Sequence, residues 1–199
     1  MPLAAVIPWH EPPRARKIGT VALSFTPRPT LAGDLILLRP IGPDDVPGMV
    51  EMVRDPEVRR LTGTRREFTE EQARAWYATR SDHDDRLDLA IIEREAGTYV
   101  GEVVLMDLDA DNRSCSFRIA LVGPRAFGRG YGTEATRLAV RHAFAAVGVH
   151  RVELEVYDFN PRARHVYEKV GFVYEGTKRQ ALFWDGQWVD VHLMAMLAS

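Results

Sequence analysis

Apolar and polar residues alternate along several short segments of the chain, and this period of two predicts β-strands. The segment RVELEVY at 151–157 shows the alternation most clearly, because valine and leucine alternate there with glutamate. One face of such a strand is expected to be buried and the other polar. The other predicted strands are 34–40, 87–94, 98–108, 114–121, 172–184 and 187–197.

Between these strands, apolar residues repeat about every 3.6 positions, which predicts helices. The helical segments are 42–55, 55–61, 68–82, about 130–147 and 160–170. His142 lies on the apolar stripe of the fourth segment, and this favours a core or edge position over a ligand role.

Two of the helices carry clear boundary signals. Thr69 is a predicted N-cap, and Gln72 three residues later completes a capping box. Before the last helix, Asn160 can cap and Pro161 suits the first helical position, while Gly171 suits the stop. These signals predict where both helices begin, and where the last one ends, independently of the apolar pattern.

The order of elements is a strand, helices, three strands, a helix, a strand, a helix and two strands. This order predicts an α+β fold with a mixed, largely antiparallel central sheet flanked by helices. Residues 31–199 are expected to form one domain. Residues 1–30 are rich in Pro and Arg without periodicity, which predicts an irregular arm. The arm is either a poorly ordered tail or a segment lying on the body or on a partner subunit.

Composition narrows the class of protein. The chain has 199 residues, 46% of them apolar, and a net charge of −2 without a dense Lys/Arg run, which argues against nucleic-acid binding through a basic face. No run approaches the ~18 apolar residues of a membrane span, and no secretory signal opens the chain. Cys115 is the single cysteine, so an intramolecular disulfide is excluded and a metal site is not expected. A cytoplasmic location fits these features.

The stretch AFGRGYGTEATRLAV at 126–140 places Gly128, Gly130 and Gly132 just before a helix. The first amides of a helix lack intrahelical partners and carry partial positive charge, so this turn predicts an anion site. Arg125 and Arg129 add positive charge nearby. The spacing matches neither a Walker A loop nor the dinucleotide-binding fingerprint. A turn with only a structural purpose is the other interpretation.

The pairing of FGRGYGTEA with NPRARHVYEKVGF resembles the GNAT superfamily of N-acetyltransferases. More closely, it resembles the ribosomal-protein alanine N-acetyltransferase branch (RimJ/RimL type). Further matching stretches are LILLRPIGPDDV, YVGEVVLMD and ALFWDGQWVDVHLMAML, so the resemblance covers roughly residues 31–199. The acyl-CoA loop of this family, Q/R-x-x-G-x-G/A, falls on 127–132 with Phe127 in place of Gln or Arg. A second register over 125–130 also matches.

The resemblance implies a GNAT fold and a site for acetyl-CoA. The diphosphate of acetyl-CoA would lie on the loop formed by Phe127, Gly128, Arg129, Gly130, Tyr131, Gly132 and Thr133. The pantetheine arm would pair with the backbone of Ala120, Leu121 and Val122. Gly123-Pro124 would end that strand and help it separate from 151–157. Asn160 would touch the arm of acetyl-CoA, in addition to or instead of capping its helix.

The resemblance also places Tyr167 near the sulfur as a general acid, with a buried aromatic residue as the alternative. Glu102 is the preferred candidate for the base, and a solvent-facing glutamate or an ordered water are the alternatives. Glu153 and Glu155 are candidates for attracting a cationic amine, or form a solvated face. Asp190 and His192 are weaker candidates.

The function implied by the resemblance is acetyl transfer from acetyl-CoA to a primary amine. The acceptor would be a protein N-terminal α-amine or a small-molecule amine. The alternatives are an acyl-CoA-binding module without catalysis and, less well supported, a nucleotide-binding switch. No metal, nucleic acid or membrane partner is expected, and a homodimer is an expectation from the family alone.

Overall fold

The computed structural model describes residues 23–199, apart from the side chain of Ser81. Within this range the chain forms one eight-stranded sheet and five α-helices. The strands are β1 Leu31–Ala32, β2 Ile36–Pro40, β3 Leu87–Glu93, β4 Tyr99–Asp109, β5 Ser114–Leu121, β6 Arg151–Tyr157, β7 Val173–Trp184 and β8 Gln187–Leu197. The helices are α1 Val46–Arg54, α2 Pro56–Thr62, α3 Glu70–Ala78, α4 Tyr131–His142 and α5 Pro161–Val170.

The predicted arm, 1–30, lies outside the described residues as far as residue 22. Residues 23–30 contain no helix or strand. Phe25 in this segment is only 1% exposed and belongs to the main hydrophobic core. None of the helices within the described range combines the length and the apolar composition that a membrane crossing requires.

The strands follow the order β1-β2-β3-β4-β5-β6-β8-β7 across the sheet. Within the described residues, all neighbouring strands are antiparallel except β5 and β6, which run parallel. This confirms the predicted mixed, largely antiparallel sheet. A parallel pair needs a long crossover connection, and here that connection contains the glycine turn and α4.

The two faces of the sheet carry different helices. Phe117 on β5 packs its ring perpendicular to that of Tyr167 on α5, with centroids 6.1 Å apart. Glu102 on β4 instead accepts a hydrogen bond from Tyr77 on α3. Ala120 is the cross-strand partner of Glu102, and side chains alternate along a strand, so α3 and α5 lie on opposite faces. We call the face of Glu102 and α3 the front face, and that of α5 the back face.

Both predicted helix caps are confirmed. Thr69 accepts a hydrogen bond from the N–H of Gln72 at 3.2 Å, and the Gln72 side chain accepts one from the N–H of Thr69 at 3.1 Å. Asn160 Oδ1 accepts a hydrogen bond from the N–H of Ala163 at 3.1 Å. These bonds satisfy main-chain donors that the first turn of each helix leaves unpaired.

The helix after the glycine turn differs from its prediction at the end. The α-helix stops at His142, and Ala143–Val147 form a wider π-turn. The N–H groups of Gly148 and Val149 both bond to the carbonyl of Ala143, which stretches the last turn. Gly148 has φ 84°, a left-handed value that ends the helix.

Candidate active site

Strands β5 and β6 pair over only three residues and then separate. The paired positions are Ser114 with Arg151, Cys115 with Val152 and Ser116 with Glu153. Beyond them a cavity of about 780 Å³ opens between the strands, with 117–121 on one side and 154–157 on the other. The separation expected from the sequence is therefore confirmed, and it gives an extended molecule access to the centre of the sheet.

The glycine turn borders this cavity through Gly128, Gly130, Gly132 and Thr133. Gly128 and Gly130 have φ values of 74° and 86°, a region that side chains disfavour, so the turn needs glycine at both positions. Gly130 caps α4, and the N–H groups that follow it have no acceptor within the helix. A Cβ added to Gly128 would meet no atom within 4 Å, so the main chain here lies open to a ligand.

Arg129 and Tyr131 belong to the turn but keep their side chains out of the cavity. The buried Tyr131 hydroxyl donates a hydrogen bond to Glu93 at the end of β3. Arg129 is exposed and lies 3.8 Å from the same carboxylate. The predicted contribution of these two residues to the site is thereby limited to their main-chain groups, and their side chains anchor the turn to β3.

Arg125 does not supply the positive charge that the sequence suggested for the turn. Its guanidinium donates two hydrogen bonds to Glu51 on α1, at 2.6 and 2.8 Å, and a third to the carbonyl of Tyr99 at 2.9 Å. This geometry also disfavours the loop register that begins at Arg125. Phe127, the first residue of the other register, lines the cavity.

The edge of β5 also differs in part from the prediction. Val122 is buried outside the cavity lining, and its N–H is bonded to the carbonyl of Val100 at 3.0 Å. Hydrogen bonding alternates along an antiparallel pair, so the main-chain groups of Leu121 and Ile119 point away from β4 and toward the cavity. Ala120 lines the cavity but directs its own main-chain groups to β4. The available edge is therefore Ile119 and Leu121 rather than all of 120–122.

Tyr167 lies in the wall of the cavity together with Ala163 and Val166, because the helical spacing of these residues places them on one apolar face of α5 that turns inward. It is 7% exposed, and its ring packs against Phe117 and Phe172. Burial raises the pKa of the Tyr167 phenol well above its ordinary value, so the group keeps its proton throughout the neutral range. It therefore remains a hydrogen-bond donor, although the raised pKa makes it a weaker acid than a free tyrosine.

Asn160 also lines the cavity, at the start of α5. Its Oδ1 is used for the cap, while its Nδ2 lies 3.5 Å from the carbonyl of Leu61 on α2. A contact at that distance is weak. The amide nitrogen thus retains hydrogen-bonding capacity that a ligand could use.

Glu102 lies on the front face, outside the residues that line the cavity. Its Oε2 accepts a hydrogen bond of 2.7 Å from the Tyr77 hydroxyl, and its Oε1 lies 3.5 Å from Arg118. The side chain is 13% exposed. Arg118 does line the cavity, which places Glu102 one side chain away from it. Burial, followed by the nearby carboxylate, raises the pKa of Tyr77, which therefore stays a donor.

Of the remaining acidic candidates, Glu153 and Glu155 line the cavity on the front face. Glu153 is paired with Arg151 at 2.9 Å, and Glu155 with Lys178. The structure does not bring Asp190 and His192 to the cavity.

Asp190 accepts a hydrogen bond from the N–H of Gln180 at 2.7 Å. His192 lies between Thr177 and Asp158, each at 2.9 Å. Its cross-strand partner is Val156, whose side chain lies on the buried side of β6. His192 is therefore directed away from the face of Glu153 and Glu155.

Several lining residues escaped the sequence analysis, above all on β4, α2, α5 and β7. They are Val58, Leu61, Thr62, Asp107, Arg118, Arg162, Lys169, Glu175 and Lys178. Of these residues, Arg162 has the clearest signal in the sequence, because it lies two residues after the capping asparagine in NPRARHVYEKVGF. The others reach the cavity through contacts that are distant in sequence.

Comparisons with known proteins agree with this geometry. A family profile described as "Acetyltransferase (GNAT) domain" matches residues 36–173. The chain is 31% identical over 117 residues to a spermidine N(1)-acetyltransferase from Vibrio cholerae, an alignment that covers 59% of this chain and 67% of that protein.

Two solved structures share the fold. The spermidine N-acetyltransferase from Vibrio cholerae in complex with CoA and spermine superposes with a TM-score of 0.77 at 22% identity, covering 83% of this chain and 96% of that one. The acetyltransferase (GNAT family) from Bacillus anthracis gives a TM-score of 0.73 at 20% identity, covering 85% and 98%.

Proposed function

The chain belongs to the GNAT acetyltransferase family and is thus an acyltransferase, and from this premise we propose that it acetylates a primary amine of a multiply charged small molecule, such as a polyamine. The acetyl donor would be acetyl-CoA. The observation that carries the proposal is the cavity between β5 and β6. Open main-chain donors at the glycine turn, Tyr167, and the carboxylates of Glu153 and Glu155 all line this one space.

On the donor side, the residues fit a coenzyme thioester. The N–H groups that follow Gly128 and Gly130 are positioned to bind the diphosphate, and the open space above Gly128 admits its oxygens. The free edge of Ile119 and Leu121 offers partners to the amides of the pantetheine arm. The thioester supplies an activated acetyl group.

On the acceptor side, four carboxylates line the cavity: Asp107, Glu153, Glu155 and Glu175. Five basic side chains line the same cavity, Arg118, Arg151, Arg162, Lys169 and Lys178, so a cationic amine would be bound by an individual carboxylate rather than by an overall negative field. Glu155 is paired with Lys178, so one ammonium group of a polyamine would take the place of the Lys178 ammonium. The similarity to a spermidine N(1)-acetyltransferase supports the same class of acceptor.

Acetyl transfer requires two proton movements. An alkylamine with a pKa near 10.4 is neutral in only about one molecule in 10³ at pH 7, so it must lose a proton before it attacks. Glu102 is the proposed acceptor of that proton. Because it lies outside the cavity lining, it would act through a water molecule. Tyr167 would donate a proton to the departing sulfur, whose free thiol has a pKa near 8.5.

The resemblance to the RimJ/RimL branch would favour a protein N-terminal α-amine instead. We test both acceptors in one experiment, which follows thiol release from acetyl-CoA with spermidine, spermine, a monoamine and short peptides with free N-termini. The expected result is the highest kcat/KM for the polyamines, with a preference that weakens as salt rises. A preference for the peptides would overturn the choice of acceptor, and CoA binding without any transfer would contradict the proposed activity.

A single substitution tests the role of Tyr167 as the general acid. Tyr167→Phe is expected to lower kcat by about 10²-fold or more while leaving the Kd for CoA unchanged. Tyr174→Phe serves as the matched control, since this tyrosine is exposed and lies outside the cavity lining. Equal kcat in the two variants would remove Tyr167 from the mechanism.

A further inference from the structure

Three arginines surround the glycine turn, and the structure separates their roles. Arg125 is held by Glu51 and by the carbonyl of Tyr99. Arg129 is exposed, outside the cavity lining, and lies beside Glu93. Arg162, on the first turn of α5, lines the cavity together with Gly128. Of these three side chains, only Arg162 is positioned to meet an anion bound at the turn.

Arg162 is held in place by an aromatic ring. Its guanidinium carbon lies 3.9 Å from the centroid of the Phe127 ring, the residue directly before Gly128. Stacking on a ring face occupies the flat side of the guanidinium and leaves its N–H groups free at the edge. One edge group donates to Glu57 on α2 at 3.0 Å, in an ion pair that is about half exposed. The remaining donors are available.

The glycine turn and Arg162 offer complementary groups to an anion in the cavity. The glycine turn offers main-chain N–H groups and the partial charge of a helix start, but no side-chain cation of its own within the cavity. A diphosphate carries two negative charges. A planar guanidinium binds phosphate oxygens through two parallel hydrogen bonds and adds a full positive charge, whereas a helix start carries only about half a charge. Arg162 would supply the full positive charge from the opposite wall.

We propose that Arg162, held against Phe127, binds the diphosphate of the coenzyme thioester together with the glycine turn, and that Glu57 is its partner when the site is free. This inference rests on the proposed function, because it assumes a coenzyme thioester as the donor. It gives Phe127 a purpose as a platform at a loop position where the resembled family has Gln or Arg. It also makes Glu57 a competitor of the diphosphate.

The test measures the Kd of three ligands by calorimetry on the full chain: CoA, dephospho-CoA without the 3′-phosphate, and pantetheine without any phosphate. Arg162→Gln is expected to weaken CoA and dephospho-CoA alike, by about 10- to 100-fold for a lost charge-assisted contact, and to leave pantetheine unchanged. Arg162→Lys should fall between, because an ammonium keeps the charge without the planar fork.

Two further variants sharpen the result. Glu57→Gln removes the competitor, so CoA is expected to bind more tightly, and an unchanged Kd would contradict the role of Glu57 as a competitor. Arg164→Gln is the matched control, since Arg164 lies on the same helix outside the cavity lining and pairs with Glu168 at 2.9 Å. Its Kd for CoA should equal that of the wild type. Both arginines form exposed ion pairs, and the stack of Arg162 on Phe127 adds about 0.5–1 kcal/mol, so the melting temperature of the free protein should fall by no more than about 4 °C in Arg162→Gln and stay unchanged in Arg164→Gln.

The possible results of these titrations distinguish a failure of the Arg162 inference from a failure of the proposed function. An unchanged Kd for CoA in Arg162→Gln overturns the inference and leaves the proposed function standing. A loss with CoA but not with dephospho-CoA assigns Arg162 to the 3′-phosphate and overturns the diphosphate contact. An equal loss with pantetheine shows a general distortion of the cavity and overturns it as well. A wild-type chain that binds no CoA overturns the proposed function itself.

Discussion

Asn160 combines a structural bond with a position in the cavity wall, and a pair of substitutions separates the two. Asn160→Ala removes the Oδ1 that accepts the N–H of Ala163 at 3.1 Å. Losing such a cap costs about 1 kcal/mol, which lowers the melting temperature of a domain of this size by about 2–4 °C. The 3.5 Å contact to Leu61 is too long to add much. Asn160→Ser keeps an oxygen for the cap and should melt like the wild type.

Binding of CoA should depend on the amide nitrogen of Asn160 and not on the oxygen that forms the cap. Both substitutions delete the amide nitrogen of Asn160, a cavity-lining residue whose contact from that nitrogen, at 3.5 Å to Leu61, is weak. Loss of a neutral hydrogen bond worth about 0.5–1.5 kcal/mol predicts a Kd for CoA that rises about 2- to 10-fold in both variants. Scanning calorimetry of the free protein and titration calorimetry with CoA measure the two effects separately.

The matched control is Thr69→Ala on α3. It also removes a confirmed cap, but its helix does not reach the cavity lining. This variant should melt lower than the wild type and bind CoA unchanged. If Asn160→Ser binds CoA like the wild type, Asn160 is a cap alone. If Asn160→Ala melts like the wild type, the reasoning from the cap geometry is refuted.

Two other predictions concern stability. Gly63 has φ 65°, and a Cβ there would lie 2.4 Å from the Tyr157 hydroxyl, so Gly63→Ala should lower the free energy of unfolding in urea by about 1–2 kcal/mol. An equally large loss in a Tyr157→Ala background, which removes all the ring atoms within 3.1 Å of that Cβ, would show that backbone strain, not the clash, is responsible. Burial lowers the pKa of His142, so the unfolded chain binds the proton more readily and stability falls as the pH drops below about 6.5. In His142→Gln, the free energy of unfolding in urea should therefore fall less between about pH 7.5 and 5.5 than in the wild type. An equal fall in the two proteins would contradict this prediction.

Local signals located most of the elements correctly. The capping box of Thr69 and Gln72 and the cap at Asn160 depend on residues three apart, so the sequence contains all the information they need. The end of α4 was less predictable. Its apolar stripe continues to Val147, yet the chain widens into a π-turn, because two N–H groups share the carbonyl of Ala143.

The charged groups of the site were harder to place than the elements. Arg125 directly precedes the glycine motif and Arg162 lies inside NPRARHVYEKVGF, but nothing local fixes the partner of either side chain. Arg125 is bound by Glu51, 74 residues away, and Arg162 stacks on Phe127. The partner of a long charged side chain depends on which groups the fold places near it. The role of such a residue therefore follows from tertiary packing and not from its spacing in the sequence.

The sequence by itself determined the succession of strands and helices, the glycine turn and the inward position of Tyr167, because each follows from backbone preferences and periodicity within a few residues. Only the tertiary structure decided at which residue β5 and β6 separate, that Arg118 lies between Glu102 and the cavity, and that Asp190 and His192 lie outside the cavity lining. These outcomes depend on how distant segments meet around one core. The free energy of such contacts belongs to the whole packed chain rather than to any stretch of it.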